Sequence, residues 1–335
     1  MEFRLTGQLH NPKQKCVSIV VPVYNEAEVL EETFERLRSV LRETGQRFEI
    51  VFVDDGSKDG SRELLESIQA AHPQVVVVLL SRNFGKEYAL TAGLDFACGE
   101  AVIMIDADLQ DPPELIPQML DKWQQGFDVV TMRRVKREGE TVAKRSSAWL
   151  FYRLLNRISD VDIPPDTGDF RLLSARAVRA IRQMPERVRY MKGIFAWIGF
   201  EQTEITYERS SRAAGRTKWG YLRLFRLALD GITAFSTVPL RLASYLGFIT
   251  AMLAFAYGVW TIIKTLVYGD PVAGFPTLMT SMLFLGGVQL MAIGLLGEYL
   301  GRLFTESKNR PHYLVSEVLR DESASAGAPD DTSPE

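Results

Sequence analysis

Cysteine and histidine are scarce in this 335-residue chain. Two cysteines, Cys16 and Cys98, cannot build a disulfide scaffold or a four-cysteine zinc site. Three histidines, His10, His72 and His312, are too few for a multi-histidine metal centre. No G-x-x-x-x-G-K-[ST] loop occurs and no G-x-G-x-x-G follows the first strand signal, which excludes a P-loop and a dinucleotide fingerprint. A net charge of −3 gives no global case for a nucleic-acid partner. No apolar run occurs in the first fifteen residues, so no secretory signal is read there and the N-terminus is expected in the cytoplasm.

What is present divides the chain. Hydrophobic residues make up 46% and charged residues 24%, enough to bury a core without staples. The segment from 321 carries five acidic residues and no basic ones, and reads as a solvated acidic tail. Setting it aside leaves 39 basic against 37 acidic residues over 1–320. Between Arg241 and Lys264 lie 22 uncharged residues, and between Asp270 and Glu298 lie 27 more. Each can cross ~30 Å of hydrocarbon, so the pair predicts a transmembrane hairpin, about 240–264 and 274–300. Arg241 before the first span, and Arg302, Lys308 and Arg310 after the second, put the large N-terminal part and both termini in the cytoplasm by the positive-inside rule.

Residues 17–132 alternate strand and helix signals. VSIVVPVY, FEIVFVDD, VVVVLL, AVIMIDAD and FDVVTM read as strands, with helices between them. Asn25 is expected to cap the first helix. Near-continuous apolar strands indicate a parallel α/β sheet covered on both faces. Ligands on such sheets sit at the carboxyl ends of the strands. Three strand ends are polar there: Tyr24-Asn25-Glu26, Asp54-Asp55-Gly56-Ser57, and Asp106-Ala107-Asp108-Leu109-Gln110. In an extended segment Asp106 and Asp108 face one side, and two carboxylates facing together ionise together only around a cation. Oxygen ligands of this kind suit Mg²⁺ or Mn²⁺, which are held by one or two carboxylates plus substrate phosphates.

Residues 133–226 hold 21 Lys or Arg against 10 Asp or Glu. Within them, about 144–158 and 218–236 read as interfacial amphipathic helices with Trp, Phe and Leu on one side and Arg at the flanks. SSRAAGRTKWG reads as a basic loop able to close on phosphates, with Arg212 and Lys218 as its contacts. Arg133 and Arg134, which follow the fifth strand, and Arg145 are candidates for an acceptor phosphate. Arg171 is a candidate structural partner of a carboxylate.

The motifs VSIVVPVYNE, FVDDGSKDGS, LSRNFGKEYALTAGLDFA, DADLQDPPE and TGDFRLLSARAV resemble glycosyltransferase family 2. Within it they are similar to the polyprenyl-phosphate glycosyltransferases, of the dolichyl-phosphate mannose synthase and bactoprenol glucosyl transferase type. GEYLGRLFTESKNRPHYLV after the two spans looks like the latter branch. The resemblance covers about residues 15–318. It implies a GT-A fold, a Rossmann-like mixed sheet with helices on both faces, over about 16–235, followed by the membrane hairpin (236–302) and a cytoplasmic C-terminal segment from 303. It implies inverting transfer of one sugar from a nucleotide sugar to a lipid phosphate. By that likeness Pro22, Tyr24, Glu26 and Asp55 hold the nucleoside, and Asp54, Asp106 and Lys86 are further candidates for contact with the nucleotide sugar. Asp106, Asp108 and Gln110 match the metal and diphosphate motif. Asp108 and Asp169 are the catalytic candidates. An acceptor phosphate is already largely dianionic at neutral pH, its second pKa lying near ~6, so Asp169 is expected to orient acceptor or sugar, or to join the metal shell, rather than to take a proton. None of the five tryptophans lies in a Q-x-x-R-W motif, which argues for one sugar per turnover. The resemblance favours UDP-glucose and undecaprenyl phosphate, in the service of cell-envelope glycan modification. GDP-mannose and a UDP-aminoarabinose-type donor stay open, as do another lipid acceptor, a non-catalytic scaffold and a nucleotide-sensing module. It also implies membrane-lipid contact and, by analogy, a homotetramer.

Overall fold

The computed structural model describes residues 16–134, 167–187, 189, 191–207, 238–268 and 274–321. The expected amphipathic helices at 144–158 and 218–236, and with them Arg145, Arg212 and Lys218, lie outside the described residues.

The first unit is built on one eight-stranded sheet. In chain order its elements are β1 (Cys16–Val23), α1 (Ala27–Glu43), β2 (Arg47–Asp54), α2 (Ser61–Ala71), β3 (Val75–Leu80), α3 (Lys86–Phe96), β4 (Ala101–Met104), α4 (Ile116–Gln124), β5 (Val129–Arg134), β6 (Thr167–Ser174), α5 (Ala175–Arg182), α6 (Met191–Trp197) and β7 (Gln202–Tyr207). The spatial order is β7-β5-β6-β4-β1-β2-β3-β8, where β8 (Val315–Leu319) is supplied by the C-terminal segment. Strands β1 to β4 are mutually parallel, as their continuous apolar runs predict. Ile19, Val20 and Val21 of β1, and all six residues of β3, are buried, so helices must cover both faces of this part of the sheet. Helix α3 comes so close to β1 that a Cβ at Gly93 would stand 2.1 Å from Val20 Cγ1.

The sheet is mixed rather than wholly parallel. β6 runs antiparallel to both β4 and β5, and β8 antiparallel to β3. None of β6, β7 and β8 is a continuous apolar run, and each is a strand because an existing edge offers it unpaired N–H and C=O groups. The reversal at β6 matters for function. Met104 pairs with Arg171 in an antiparallel register. Continuing that register two residues past the ladder sets Asp169 across from Asp106.

The second unit holds helix α7 (Val238–Tyr268, 31 residues) and helix α8 (Phe275–Ser307, 33 residues). At 1.5 Å rise per residue these are about 46 and 50 Å long. Each is long and apolar enough to cross a membrane, with windows at Ala243–Trp260 and Phe284–Ser307 of mean hydropathy 1.4 and 1.3. Neither window is buried by the protein, in contrast to a core helix of a soluble domain. Both helices run past the expected spans. Nothing at the charged ends, including Glu298 and Arg302, interrupts the backbone ladder. Residues 311–321 belong to the first unit.

Candidate functional site

The site forms where the parallel strands end. After β1 the chain turns through Asn25, whose φ of 55° lies in the left-handed region. Asn25 does not cap α1. Its Oδ1 accepts the Lys58 N–H at 2.8 Å, while the Asn25 N–H donates to Ser57 Oγ at 2.9 Å. The start of α1 is capped from across the sheet. Glu26 N–H donates to Ser61 Oγ at 3.1 Å and Ala27 N–H to Asp59 Oδ2 at 3.1 Å. The D-D-G-S-x-D-G turn thus serves as a clamp between two strand ends. Tyr24 beside it is 45% exposed, an open aromatic face at the rim.

Asp54 and Asp55 are each only 3% exposed. Asp54 accepts the Ser57 N–H at 3.2 Å. Asp55 accepts the N–H groups of Phe84 (2.7 Å) and Gly85 (2.9 Å), which shapes the loop leading into α3. Burial pushes both carboxyls upward, and these donors pull them back in part. Their carboxylates are engaged in building the loops that present Lys86.

Lys86 opens α3 and joins two strand ends. Its Nζ lies 2.7 Å from Asp106 Oδ1 and 2.5 Å from Asp169 Oδ2. Burial alone would lower this ammonium, but the two carboxylates outweigh it and hold it well above its ordinary value. Burial would likewise raise Asp169, and Lys86 with Lys192 overrides that, holding it well below the usual carboxylate range. Asp169 is therefore a fixed anion.

Asp106 and Asp108 do not share an extended segment. β4 ends at Met104, and the chain turns over Ala107–Leu109 with Leu109 at a φ of 56°. Asp106 reaches Lys86, while Asp108 accepts the Gln110 N–H at 3.1 Å within the turn. Among the described residues no three Asp, Glu, His or Cys side chains converge on one point. The donors still fit a hard dication. Asp106 and Asp108 offer oxygen ligands, and Gln110 Oε1 is buried with no hydrogen-bond partner among the described residues. Mg²⁺ and Mn²⁺ accept such a partial set because water and substrate phosphates complete it.

The arginines fall differently from expectation. Arg134 is drawn inward, with its side chain 18% exposed. It donates to Tyr207 Oη at 3.2 Å and pairs at 3.6 Å with Asp111, whose side chain is fully buried and also accepts from Tyr207. Its charge balances a buried carboxylate. Arg133 pairs with Glu204 on the neighbouring strand at 3.2 Å. Arg171 is buried, donates to the Gly168 carbonyl at 2.9 Å and lies 3.9 Å over the Phe195 ring.

Two residues that sequence reasoning did not single out belong to the same cluster. Glu87, next to Lys86, accepts the Met191 N–H at 3.1 Å and so ties α3 to α6. Burial, with Asp169 nearby, pushes its carboxyl up to about 7. Lys192 is the second residue of α6. The K-E pair at a helix start was a weak signal for Glu87, whereas nothing in MKGIFAW marks Lys192.

A family model described as Glycosyl transferase family 2 matches residues 18–182, and one described as GtrB C-terminal hairpin matches residues 238–303. An uncharacterised glycosyltransferase of Synechocystis is 50% identical over 302 residues, 90% of this chain and 95% of that protein. The SfII prophage-derived bactoprenol glucosyl transferase of Shigella flexneri is 48% identical over 304 residues, 91% of this chain and 98% of its own. A prophage bactoprenol glucosyl transferase homolog of Escherichia coli is 46% identical over 304 residues, 91% and 99% of the two chains. With strand ends, carboxylates and apolar hairpin all within the matched length, the chain belongs to glycosyltransferase family 2 and to its branch with the GtrB C-terminal hairpin.

Proposed function

We propose that this protein transfers one glucosyl group from UDP-glucose to the phosphate of a polyprenyl phosphate, at the cytoplasmic face of a membrane. The observation that carries the reading is the 48% identity, hairpin included, to a relative named a bactoprenol glucosyl transferase. The site supports it. Asp106 and Asp169 stand at the carboxyl edge of the sheet, and two apolar helices on the same chain suit a substrate that never leaves the bilayer.

The reaction is a displacement at the anomeric carbon. An oxygen of the acceptor phosphate forms the new bond to that carbon. The bond to the donor diphosphate breaks and the diphosphate leaves with the electron pair, inverting the centre. The acceptor is already an anion, so no side chain has to remove a proton. Asp169, kept ionised by Lys86 and Lys192, positions the sugar or the acceptor. Lys86 holds Asp169 and Asp106 in one arrangement and prevents their mutual repulsion. Tyr24 offers a face for the base, while Pro22, Glu26, Asp54 and Asp55 shape the walls around it. Asp106, Asp108 and Gln110 would hold a divalent cation, which supplies charge neutralisation to the departing diphosphate.

The test uses detergent-purified protein, undecaprenyl phosphate and labelled UDP-glucose, GDP-mannose and a UDP-aminoarabinose-type donor. Label entering the organic phase is followed with Mg²⁺, with Mn²⁺ and with EDTA. Transfer from UDP-glucose that EDTA abolishes is the expected result. Transfer from another donor alone would replace the sugar assignment. Retention of UDP binding with no transfer from any donor would overturn the enzyme reading.

A further inference from the structure

The sheet has a second end. β1, β2 and β4 run parallel, so their amino ends gather on the side away from Tyr24, Asp54 and Asp106, about 23 Å off along β1 at ~3.3 Å per residue. β8 runs antiparallel to β3 and brings its last residues to that same side. A cavity of about 540 Å³ opens there. Small-molecule sites occupy ~300–1,000 Å³, so the space suits one. Three arginines from three elements line it: Arg42 in the last turn of α1, Arg47 at the start of β2 and Arg320 just past β8. None of the three has a carboxylate within 4.0 Å among the described residues, whereas Arg36, Arg38 and Arg62 of the same unit each have one. The one carboxylate on the lining, Glu49, is engaged. Its Oε1 accepts the Cys98 N–H at 2.6 Å and the Ser18 hydroxyl. Gln46, also on the lining, has a buried Oε1 with no hydrogen-bond partner among the described residues.

We propose that this cavity is a second ligand site, distinct from the catalytic end of the sheet, and that it binds an organic phosphate. Three guanidinium groups against one carboxylate leave the lining with two positive charges in excess. Guanidinium forks match phosphate oxygens in pairs, which a single ammonium does not. Phe48, Pro73 and Val76 add an apolar floor that a bare ion leaves uncovered, so the phosphate carries an apolar or aromatic group. Gln46 Oε1 accepts a hydrogen bond from a hydroxyl or N–H of the same ligand, since a buried acceptor without a donor is unfavourable. The site stands apart from the proposed transfer reaction, and its test needs no turnover.

The chain carries its own reporter. Its only two cysteines, Cys16 and Cys98, both line this cavity, and Cys98 is exposed. Thiol labelling therefore reads this end of the sheet and not the catalytic end. The full chain in detergent is labelled with N-ethylmaleimide, and the rate at Cys98 is followed by mass spectrometry. A soluble ester and a lipid headgroup share the phosphate chemistry, so phenyl phosphate in solution and phosphatidic acid in the micelle are titrated separately, each against potassium chloride at matched ionic strength. Saturable slowing by phenyl phosphate assigns the site to soluble esters, and slowing by phosphatidic acid alone assigns it to a headgroup. Arg47→Gln and Arg320→Gln each remove one charge from the lining. A lost charge-assisted hydrogen bond is worth about 10-fold or more, so the half-protecting concentration is expected to rise by that factor in each. UDP affinity by calorimetry and the Tm are expected to stay at wild-type values in both variants, and if one variant fails to fold the other decides. The proposal is overturned if neither phosphate slows labelling of the wild type, if potassium chloride slows it equally, or if the half-protecting concentration is the same with and without the arginines.

Discussion

At Asp169, burial and charge pull in opposite directions, and charge wins because Lys86 touches it. Its carboxyl is held below its ordinary value of 3.8, so it contributes stability above that pH and loses it only as pH falls through the depressed value. Across neutral pH it is an anion of fixed position. Asp169→Asn keeps the shape and removes that anion. Turnover is expected to fall by about 10²-fold or more while UDP affinity stays near normal, measured by label transfer and calorimetry. Near-normal turnover would remove Asp169 from any essential role. Glu87 has the opposite sign. Its carboxyl rises from 4.5 to about 7, chiefly through burial and then through Asp169. Its contribution is therefore fully present below pH 4.5 and is lost as pH rises through 7. Glu87→Gln keeps an oxygen for the Met191 N–H and cannot ionise. The variant's Tm is expected to gain on the wild type between pH 5 and 7 and to level off above that. A Tm difference constant over that range would show that Glu87 does not titrate there.

Elements show which parts of this architecture could be read in advance. β1 to β4 were legible because each is a largely apolar run rich in Val and Ile. β6 was not. TGDFRLLS mixes Gly, Asp and Arg, and it becomes a strand only because the edges of β4 and β5 are waiting for it. For the same reason Asp106 and Asp169 could be named from their motifs, but the reversed register that sets them opposite each other could not. The Glu87–Met191 contact joins residues 104 apart in sequence, beyond any local pattern. The capping of α1 failed as a local reading because the cap comes from the turn after β2. That turn supplies its own prediction. Gly56 has a φ of 71°, and a Cβ there would stand 2.7 Å from the backbone of Arg82 and Asn83. The left-handed backbone alone costs an alanine about 1–2 kcal/mol, and the clash falls on backbone that cannot swing aside. Gly56→Ala should lower Tm and weaken UDP binding together, because the displaced 82–85 segment carries the N–H groups that hold Asp55 and leads directly to Lys86. A stable Gly56→Ala protein with normal UDP affinity would mean that this turn is not what fixes the loop.

On the scale of the whole molecule, the chain leaves the sheet for two membrane-length helices and then returns to finish it. The returning segment closes the edge next to β3, pairing Val318 with Val78 and Leu319 with Val77, and the Leu314 carbonyl accepts the Ser81 N–H at 2.9 Å. Tyr313 donates to Asp95 at the end of α3 at 2.8 Å, and Glu317 accepts from Arg62 at 3.0 Å. Without these contacts β3 is an open edge of sequence VVVVLL, apolar, β-branched and uncharged, the kind of strand that pairs with other chains. Exposed ion pairs such as Arg62–Glu317 add little, about 0–1 kcal/mol, so the ladder and the covered edge carry the effect. Removal of residues 311–335 leaves every proposed site residue and both long helices in place. It is nevertheless expected to abolish UDP binding and the cooperative thermal transition, and to send the detergent-solubilised protein into large aggregates on gel filtration. Removal of 322–335 alone, which spares β8, should leave all three properties unchanged. A chain ending at Arg310 that melts like the full protein and binds UDP normally would show that the sheet completes itself without the returning strand.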